Sequence, residues 1–326
     1  MKPILLGNQL PKPQLMIVNG FPLPPFSTDE WKLFGKKRKY VCGADDPEME
    51  EIIFYLTQHG CNFVEATYNG KRVSPETANY CDPVECEDGE TLTFVECRPR
   101  KLDECGPVEE ETKEGEKKKT YFVDIVDHHP VENLKEGDLP QGSGCNLPPL
   151  DYLHGSSLGQ VSFLEGYPLT VYQMALAAID HCPAQAIAGL CPGVDPDYAK
   201  TVYLEVTMRK KKVALPDIHN CLSVIGKVIA KAPSANVGKI PVVDTSGTPT
   251  GNGYSLPYIC SIYAAAELRL PLLVSNRNEE KGPEKRVLTG FVTPELVHSF
   301  RKDYAVQHKL RGLWGDNNRG AGGFLP

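Results

Sequence analysis

Short stretches rich in apolar residues alternate with amphipathic stretches between residues 38 and 190. The segments "KRKYVC", "TLTFV" and "YFVDIV" have the length and the β-branched and aromatic content of strands. Between and after them, segments such as 47–59, 149–166 and 168–190 carry apolar residues at helical spacing. This alternation predicts an α/β domain, a mostly parallel sheet with helices on both faces.

The first strand is followed by a predicted helix with clear boundary signals. Pro47 suits the first helical turn, Glu48 favours the positive end of the helix, and Gly60 is a natural stop. Asp45 and Asp46 fall in the loop after the strand. In open α/β sheets ligands bind outside the carboxyl ends of the strands, so both acids are expected at the binding edge.

The stretch "YFVDIVDHHPVE" ends another predicted strand with polar residues. Alternation puts Val123, Ile125 and Asp127 on one face of the strand, and Pro130 cannot continue the hydrogen-bond ladder. Asp127 and the two adjacent histidines, residues 128 and 129, are therefore expected at the strand end. We predict that they lie at the same sheet edge as the acids after the first strand.

The pattern changes after about residue 205. "IPVVDTSG", "LPLLVSNRN" and "KRVLTGFV" are typical of strands, "SLPYICSIYAAAELRL" of a helix, and Thr293 is the predicted N-cap of a further helix. "TVYLEVTMRKKKVAL" fits either a helix or a strand. We predict an N-terminal arm over 1–37, an α/β domain over 38–205 and a smaller C-terminal α+β domain over 206–326.

Composition and charge exclude several classes of protein. The chain has 326 residues, of which 41% are hydrophobic and 24% charged, as in ordinary globular proteins. The net charge of −7 argues against binding to duplex nucleic acid. No apolar run approaches the roughly 18 residues of a membrane span, and the N-terminus lacks a secretory cleavage site. These features predict a cytoplasmic protein, and they leave its oligomeric state open.

Two further segments have simple structural interpretations. The eleven cysteines are scattered, and most are expected to be buried thiols. Cys81, Cys86, Cys97 and Cys105 lack the paired spacing of zinc ligands. The highly charged segment 101–119 is almost free of apolar residues and is predicted to be a surface excursion.

Acids and histidines at neighbouring strand ends suggest a metal site. Neighbouring strands lie about 4.8 Å apart, so side chains at their ends can meet around one or two ions. Carboxylates with some imidazole suit Mn²⁺ or Mg²⁺, and two such ions can clamp a phosphate. The residues that could contribute are Asp45, Asp46, Glu96, Asp127, His128, His129, Asp180 and His181. Asp180 and His181 could instead pair with each other within a buried helix.

"DIVDHHP" after an apolar strand resembles the signature of the DHH phosphoesterase superfamily. The resemblance implies hydrolysis of phosphoanhydride or phosphodiester bonds with Mn²⁺ or Mg²⁺. It further implies that Asp127 and His128 bind metal while His129 contacts the scissile phosphate. "VCGADDPEMEEI" resembles the first family motif, which implies Asp45 and Asp46 as metal-binding acids.

"HGSSLGQV" is similar to the serine-containing helix that follows the signature in that superfamily. Ser156 and Ser157 are thus candidates for substrate contacts, and a helix cap is the alternative. Arg319 in the glycine-rich stretch "GDNNRGAGGF" could pair with a phosphate, unless the tail is simply flexible.

The chain departs from the family pattern at three places. Cys42 stands where the first motif usually has histidine, and Asp45 and Asp46 are adjacent rather than two apart. Glu96 stands for the aspartate of the second motif, and the C-terminal stretch has no histidine. We predict a metal-dependent phosphoesterase for a small phosphorylated or nucleotide substrate, with two ions if the site is complete. The alternative is a catalytically inactive relative that binds a ligand or partner.

Overall fold

A computed structural model describes residues 37–74, 80–101, 104–107, 121–127, 147–245, 255–276 and 284–326, and the short strands Ile4–Leu5, Met16–Val18 and Phe21–Leu23. His128 and His129 lie outside the described residues. The chain divides into two units, residues 1–145 with 153–173 and residues 146–152 with 174–326. This division falls before the predicted boundary at 205, because the helix Pro183–Ile187 packs on the C-terminal helix Leu256–Leu268.

The first unit is built on a parallel sheet. Its strands are β1, β2, β3 and β4, in the order β4-β3-β1-β2, and Ile4–Leu5 pairs in parallel with β4. Their bounds are Arg38–Cys42 for β1, Asn62–Glu65 for β2, Thr91–Val95 for β3 and Phe122–Val126 for β4. Val123 and Ile125 of β4 are buried between partly exposed residues, as the pattern predicts, and Val126 at the strand end is buried as well.

Two helices of this unit pack against each other near the sheet. Helix α1 spans Pro47–Gln58, close to the predicted bounds, and the Asp46 side chain caps it by accepting a hydrogen bond from the Met49 N–H at 2.9 Å. Helix α2 spans Ser157–Glu165 and contacts both α1 and β4. α1 buries Met49, Ile52 and Leu56, whose spacing of three and four residues forms one face.

The cysteine-rich segment of this unit joins the core. Cys81, Cys86, Cys97 and Cys105 are all buried, and burial raises the pKa of Cys86 to about 12. In the described part of the chain, no cysteine belongs to a group of three side chains placed to hold a metal ion.

The start of the charged segment 101–119 is only in part the predicted surface excursion, because Lys101 and Glu104 are exposed whereas the next two residues are buried. Strand Gly106–Pro107 pairs with Glu85–Cys86, and Cys105 is buried. Gly106 lies against the Tyr121 ring, since a Cβ there would be 2.8 Å from it. Residues 108–119 lie outside the described part of the chain.

The second unit contains a mixed six-stranded sheet. Its strands are β5 to β10, in the order β5-β6-β7-β8-β10-β9, and only the β6–β7 pair is parallel. The strand bounds are Ser234–Val237, Ile240–Asp244, Pro271–Asn276, Lys285–Gly290, Arg311–Asp316 and Gly320–Phe324.

The main helices after residue 170 are α3 to α8. Their bounds are Val171–His181, Pro183–Ile187, Pro196–Lys211, Leu215–Lys231, Leu256–Leu268 and Pro294–Ser299. The π-helical segment Phe300–Tyr304 and the short helix Ala305–Gln307 follow α8. The undecided segment is thus the helix α5, which Asp195 caps and in which Val202 and Tyr203 are buried. Thr293 caps α8, as predicted.

No single helix in the described ranges is long and apolar enough to cross a membrane. Helices α5 and α6, which meet at a bend of 108°, reach such a length and composition only as a pair.

The glycine-rich tail forms a tightly packed hairpin of β9 and β10. Gly320 has a φ of +113°, and a Cβ there would lie 1.9 Å from the Leu288 carbonyl oxygen. Gly322 lies against the Trp314 ring, since a Cβ on Gly322 would lie 2.3 Å from a ring atom. Close approach of backbone and ring therefore explains the glycines, because any larger residue would collide there.

Candidate functional site

The carboxyl ends of β1, β3 and β4 lie level with one another in the first unit. Val95 of β3 pairs with Cys42 on one side and with Val126 on the other. The ladder continues one residue further, because the Gly43 N–H donates to the Val95 carbonyl and the Glu96 N–H donates to the Val126 carbonyl, both at 2.9 Å. Glu96 and Asp127 therefore emerge side by side at this edge.

Gly43 is required where β1 ends. A Cβ at this position would lie 2.7 Å from the carbonyl oxygens of Val95 and Glu96. The loop that carries the acids of the first motif therefore passes close to the end of β3.

Glu48 and Glu96 bring two carboxylates close together at this edge and are here called the carboxylate pair. One carboxylate oxygen of each lies within 4.8 Å of the other. Glu48 is only 1% exposed, in the first turn of α1. Glu96 has a φ of +52°, which is uncommon for a residue other than glycine. Like charges this close favour a shared proton or a bound cation.

The N-terminus of α2 orients the carboxylate pair. The Ser157 hydroxyl donates to Glu96 Oε1 at 2.9 Å, and the Leu158 N–H donates to Glu48 Oε1 at 2.9 Å. The partial positive charge at a helix N-terminus stabilises carboxylates there. Ser156 is the N-cap, whose Oγ accepts from the Gly159 N–H at 3.1 Å, so the capping alternative describes its contact.

The two acids predicted from the first motif have protein partners. Asp45 forms an ion pair with Arg72 at 2.7 Å, and Asp46 caps α1. Arg72 is fixed in turn, because it also donates to the Cys42 carbonyl at 2.9 Å and lies 3.4 Å from Glu65.

Asp127 forms a buried ion pair with Arg98. The Asp127 side chain is 1% exposed and that of Arg98 is 7% exposed, and Asp127 Oδ2 lies 3.8 Å from Arg98 Nη2. This distance is that of an ion pair rather than of a hydrogen bond. The charge of the predicted metal-binding aspartate therefore faces a fixed cation of the same chain.

Cys42 stands where the family has histidine, and it is a buried thiol. Its side chain is completely buried, and burial raises its pKa to about 12. Without a metal ion the thiol therefore stays protonated at neutral pH.

In the second unit, Asp180 and His181 contact the tail hairpin. Arg319 Nη2 lies 3.1 Å from Asp180 Oδ2, and His181 Nε2 lies 3.1 Å from Asn318 Nδ2. Asp316 shapes the turn, since its Oδ1 accepts from the N–H groups of Asn318 and Arg319 at 2.8 Å. Arg319 is thus held beside an acid.

A scan of protein-family models gives no match to this chain, and a search of curated proteins finds no significantly similar sequence. Membership of the DHH phosphoesterase superfamily therefore stays a prediction from the motifs.

Glu48 is the candidate that the sequence reasoning missed. Asp46 and Glu48 are two residues apart, which is the spacing of the acids in the first motif of the superfamily. Glu48 was interpreted only as a first-turn acid of α1, where acids are common for electrostatic reasons. The spacing was the signal that could have identified it.

Proposed function

We propose that this protein is a metal-dependent phosphoesterase that acts on a small phosphorylated or nucleotide substrate. The observation that carries the proposal is the carboxylate pair, two acids at the carboxyl edge of a parallel sheet with oxygens within 4.8 Å of each other. Carboxylate oxygens are the ligands that Mg²⁺ and Mn²⁺ prefer. We also propose that helices cover both faces of this sheet, because open α/β sheets of that kind bind ligands at the carboxyl ends of their strands.

Electrostatics supports a cation at the carboxylate pair. Two unit charges within 4.8 Å of each other repel by at least about 3.5 kcal/mol at an effective dielectric constant of about 20. Glu48 is almost completely buried, so water screens this repulsion poorly. A divalent cation between the two carboxylates neutralises both charges.

The residues of the chain have distinct roles in this proposal. Glu48 and Glu96 hold the ion, and the α2 N-terminus orients them through Ser157 and the Leu158 N–H. A bound divalent cation supplies Lewis-acid stabilisation of phosphoryl oxygens. His129 as the phosphate contact and His128 as a ligand rest on the resemblance alone.

Asp180 and Arg319 remain predicted metal and phosphate contacts of the second unit. For Arg319 to bind a phosphate, its ion pair with Asp180 has to open or to be shared with the substrate.

A second candidate function is ligand or partner binding without catalysis. The observation that favours it is that Asp45, Asp46 and Asp127 each have a protein partner, an arginine or a helix N-terminus. A metal ion that used these acids would have to displace those contacts. In this alternative, the sheet edge keeps the family architecture but not its chemistry.

Metal content and hydrolysis measured together separate the two functions. We expect the purified protein to bind Mn²⁺ and to hydrolyse bis-p-nitrophenyl phosphate. Glu48→Gln and Glu96→Gln should each lose both properties, because each removes a charged ligand. Glu85→Gln changes an exposed acid of the same unit and should behave as the wild type. Wild-type protein that binds no Mn²⁺ and has no activity would support the binding protein instead.

A further inference from the structure

We propose that Cys182 and Cys191 are a site of oxidation in the second unit, at which a peroxide converts the two thiols into a disulfide. Both are free thiols in the structure, and their sulfur atoms lie 3.4 Å apart. Neither residue takes part in the proposed function, so the chemistry of this thiol pair is independent of metal binding.

The backbone around the thiol pair allows the two sulfur atoms to meet. A disulfide has an S–S bond of about 2.05 Å, so the sulfurs have to approach each other by roughly 1.4 Å. Cys182 is the N-cap of α4, and Cys191 lies in the loop between α4 and α5. Neither residue lies inside a helix or a strand, where the backbone hydrogen bonds would resist such a movement.

Cys191 is the thiol that a small oxidant can reach. Cys182 is fully buried and Cys191 is 4% exposed, but Leu190 and Gly193 of the same loop are exposed, so a small movement of the loop opens a path to Cys191. The hydrogen bond with Cys191, together with burial, raises the pKa of Cys182, which therefore keeps its proton at neutral pH. We expect the attack on the oxidant to start from Cys191.

The oxidation balances with one molecule of hydrogen peroxide. The Cys191 sulfur attacks one peroxide oxygen, the O–O bond breaks, and the departing hydroxide takes up the proton of this thiol and becomes water. The Cys182 sulfur then attacks the resulting sulfenic acid, and the S–O bond breaks. The second oxygen leaves as water with the proton of the Cys182 thiol. The two thiols lose two electrons, and the peroxide is reduced to two molecules of water.

Other described thiols also contact one another, but within ordered elements. Cys81 and Cys97 are hydrogen-bonded in the core of the first unit, where both are buried. Cys221 and Cys260 are hydrogen-bonded between the interiors of α6 and α7. The helices and the core hold these sulfurs in place, so the thiol pair beside α4 is expected to be oxidised first.

A disulfide at this site would close a loop of ten residues that contains α4. Gln185 of α4 donates to the carbonyl oxygens of Val292 and Asn318, both at 3.2 Å, so α4 is also fixed to the tail hairpin. Closing the loop lowers the entropy of the unfolded chain, which should raise the Tm of the oxidised protein by about 5–10 °C.

Mapping the disulfide in the full chain tests the proposal. The protein is freed of thiol reductant, treated with a small excess of hydrogen peroxide, and then alkylated with iodoacetamide under denaturing conditions. Cleavage with chymotrypsin at Leu190 separates the two cysteines in sequence, so mass spectrometry should find two peptides that stay linked until reduction. The oxidised protein should unfold about 5–10 °C higher, and a thiol reductant should reverse both changes.

Two serine variants provide the comparison. Cys191→Ser should lose the linked peptides and the rise in Tm, whereas Cys221→Ser, which removes a half-buried thiol of the same unit, should keep both. Alkylated residues 182 and 191 in the peroxide-treated wild type would overturn the proposal, and so would a disulfide from either residue to a different cysteine. The mapping uses the wild-type chain, so it decides the question even where Cys191→Ser fails to fold.

Discussion

Replacing Glu48 with glutamine removes one of two neighbouring negative charges while keeping the shape of the side chain. The glutamine carbonyl oxygen can still accept the hydrogen bond that the Leu158 N–H donates at 2.9 Å. The variant therefore isolates the charge of the carboxylate pair from its packing. We expect the metal-free variant to be more stable than the metal-free wild type, and Mn²⁺ to stabilise it much less.

The expected magnitude follows from the distance within the carboxylate pair. For carboxylate oxygens within 4.8 Å, the full repulsion is at least about 3.5 kcal/mol at an effective dielectric constant of about 20. Glu96 is partly exposed and the α2 N-terminus stabilises both carboxylates, so we expect a gain of about 1–2 kcal/mol. In domains of about 150–250 residues, each kcal/mol shifts Tm by about 2–4 °C.

Thermal unfolding in EDTA and in Mn²⁺ measures both effects. In the wild type, Mn²⁺ at about 100 times its Kd should add about 2.7 kcal/mol of stability. Glu48→Gln should start higher in EDTA and gain little from Mn²⁺, and Glu85→Gln should match the wild type under both conditions. A lower Tm of Glu48→Gln in EDTA would refute the repulsion argument. An unchanged response to Mn²⁺ would refute metal binding at the carboxylate pair.

Three further substitutions test other contacts. Ser157→Ala should weaken Mn²⁺ binding several-fold in a calorimetric titration. Ser157→Thr should keep the wild-type affinity, because the threonine hydroxyl can still orient the carboxylate pair. Equal Mn²⁺ affinities of Ser157→Ala and the wild type would assign Ser157 to capping alone. Gly320→Ala should lower the free energy of unfolding by about 1–3 kcal/mol or more, because the φ of residue 320 is +113° and the new methyl group would meet a β8 carbonyl oxygen. An unchanged free energy of unfolding in urea would contradict this. Asp127→Asn should cost on the order of 3 kcal/mol in the same assay, because it leaves Arg98 buried without its counter-charge, and a loss below about 1 kcal/mol would contradict the buried ion pair.

Much of the first unit could be predicted because each element carries its own pattern. β4 alternates in burial up to Ile125, and α1 begins at Pro47 with its cap at Asp46. Such signals are local, so they survive without knowledge of the tertiary structure. The helix α5 also had a local signal, since Asp195 and Pro196 are typical of a helix start, but its mixed apolar pattern concealed it.

The tail hairpin and the start of the charged segment could not be predicted in the same way. Gly320 and Gly322 are glycines because of what packs against them, a carbonyl of β8 and the Trp314 ring. Cys105 joins the core because Gly106–Pro107 pairs with a strand about twenty residues earlier. In both cases the reason for the residue lies in a partner that is distant in sequence, while composition alone indicated flexibility or exposure.

The candidate site, too, could be predicted only in part. Its place at the carboxyl edge follows from strand order, and the family resemblance indicated which acids to examine. Which of these acids keeps a charge for a ligand depends on residues without a motif. Arg98 and Arg72 stand in short polar stretches that carry no metal signature, yet each reaches back across the sheet edge to an acid. Since a guanidinium and a metal ion compete for the same carboxylate, these two arginines weaken the attraction of Asp127 and Asp45 for a cation. For the proposed function, Glu48 and Glu96 are therefore the acids to test first, because α2 holds both of them by hydrogen bonds at the sheet edge.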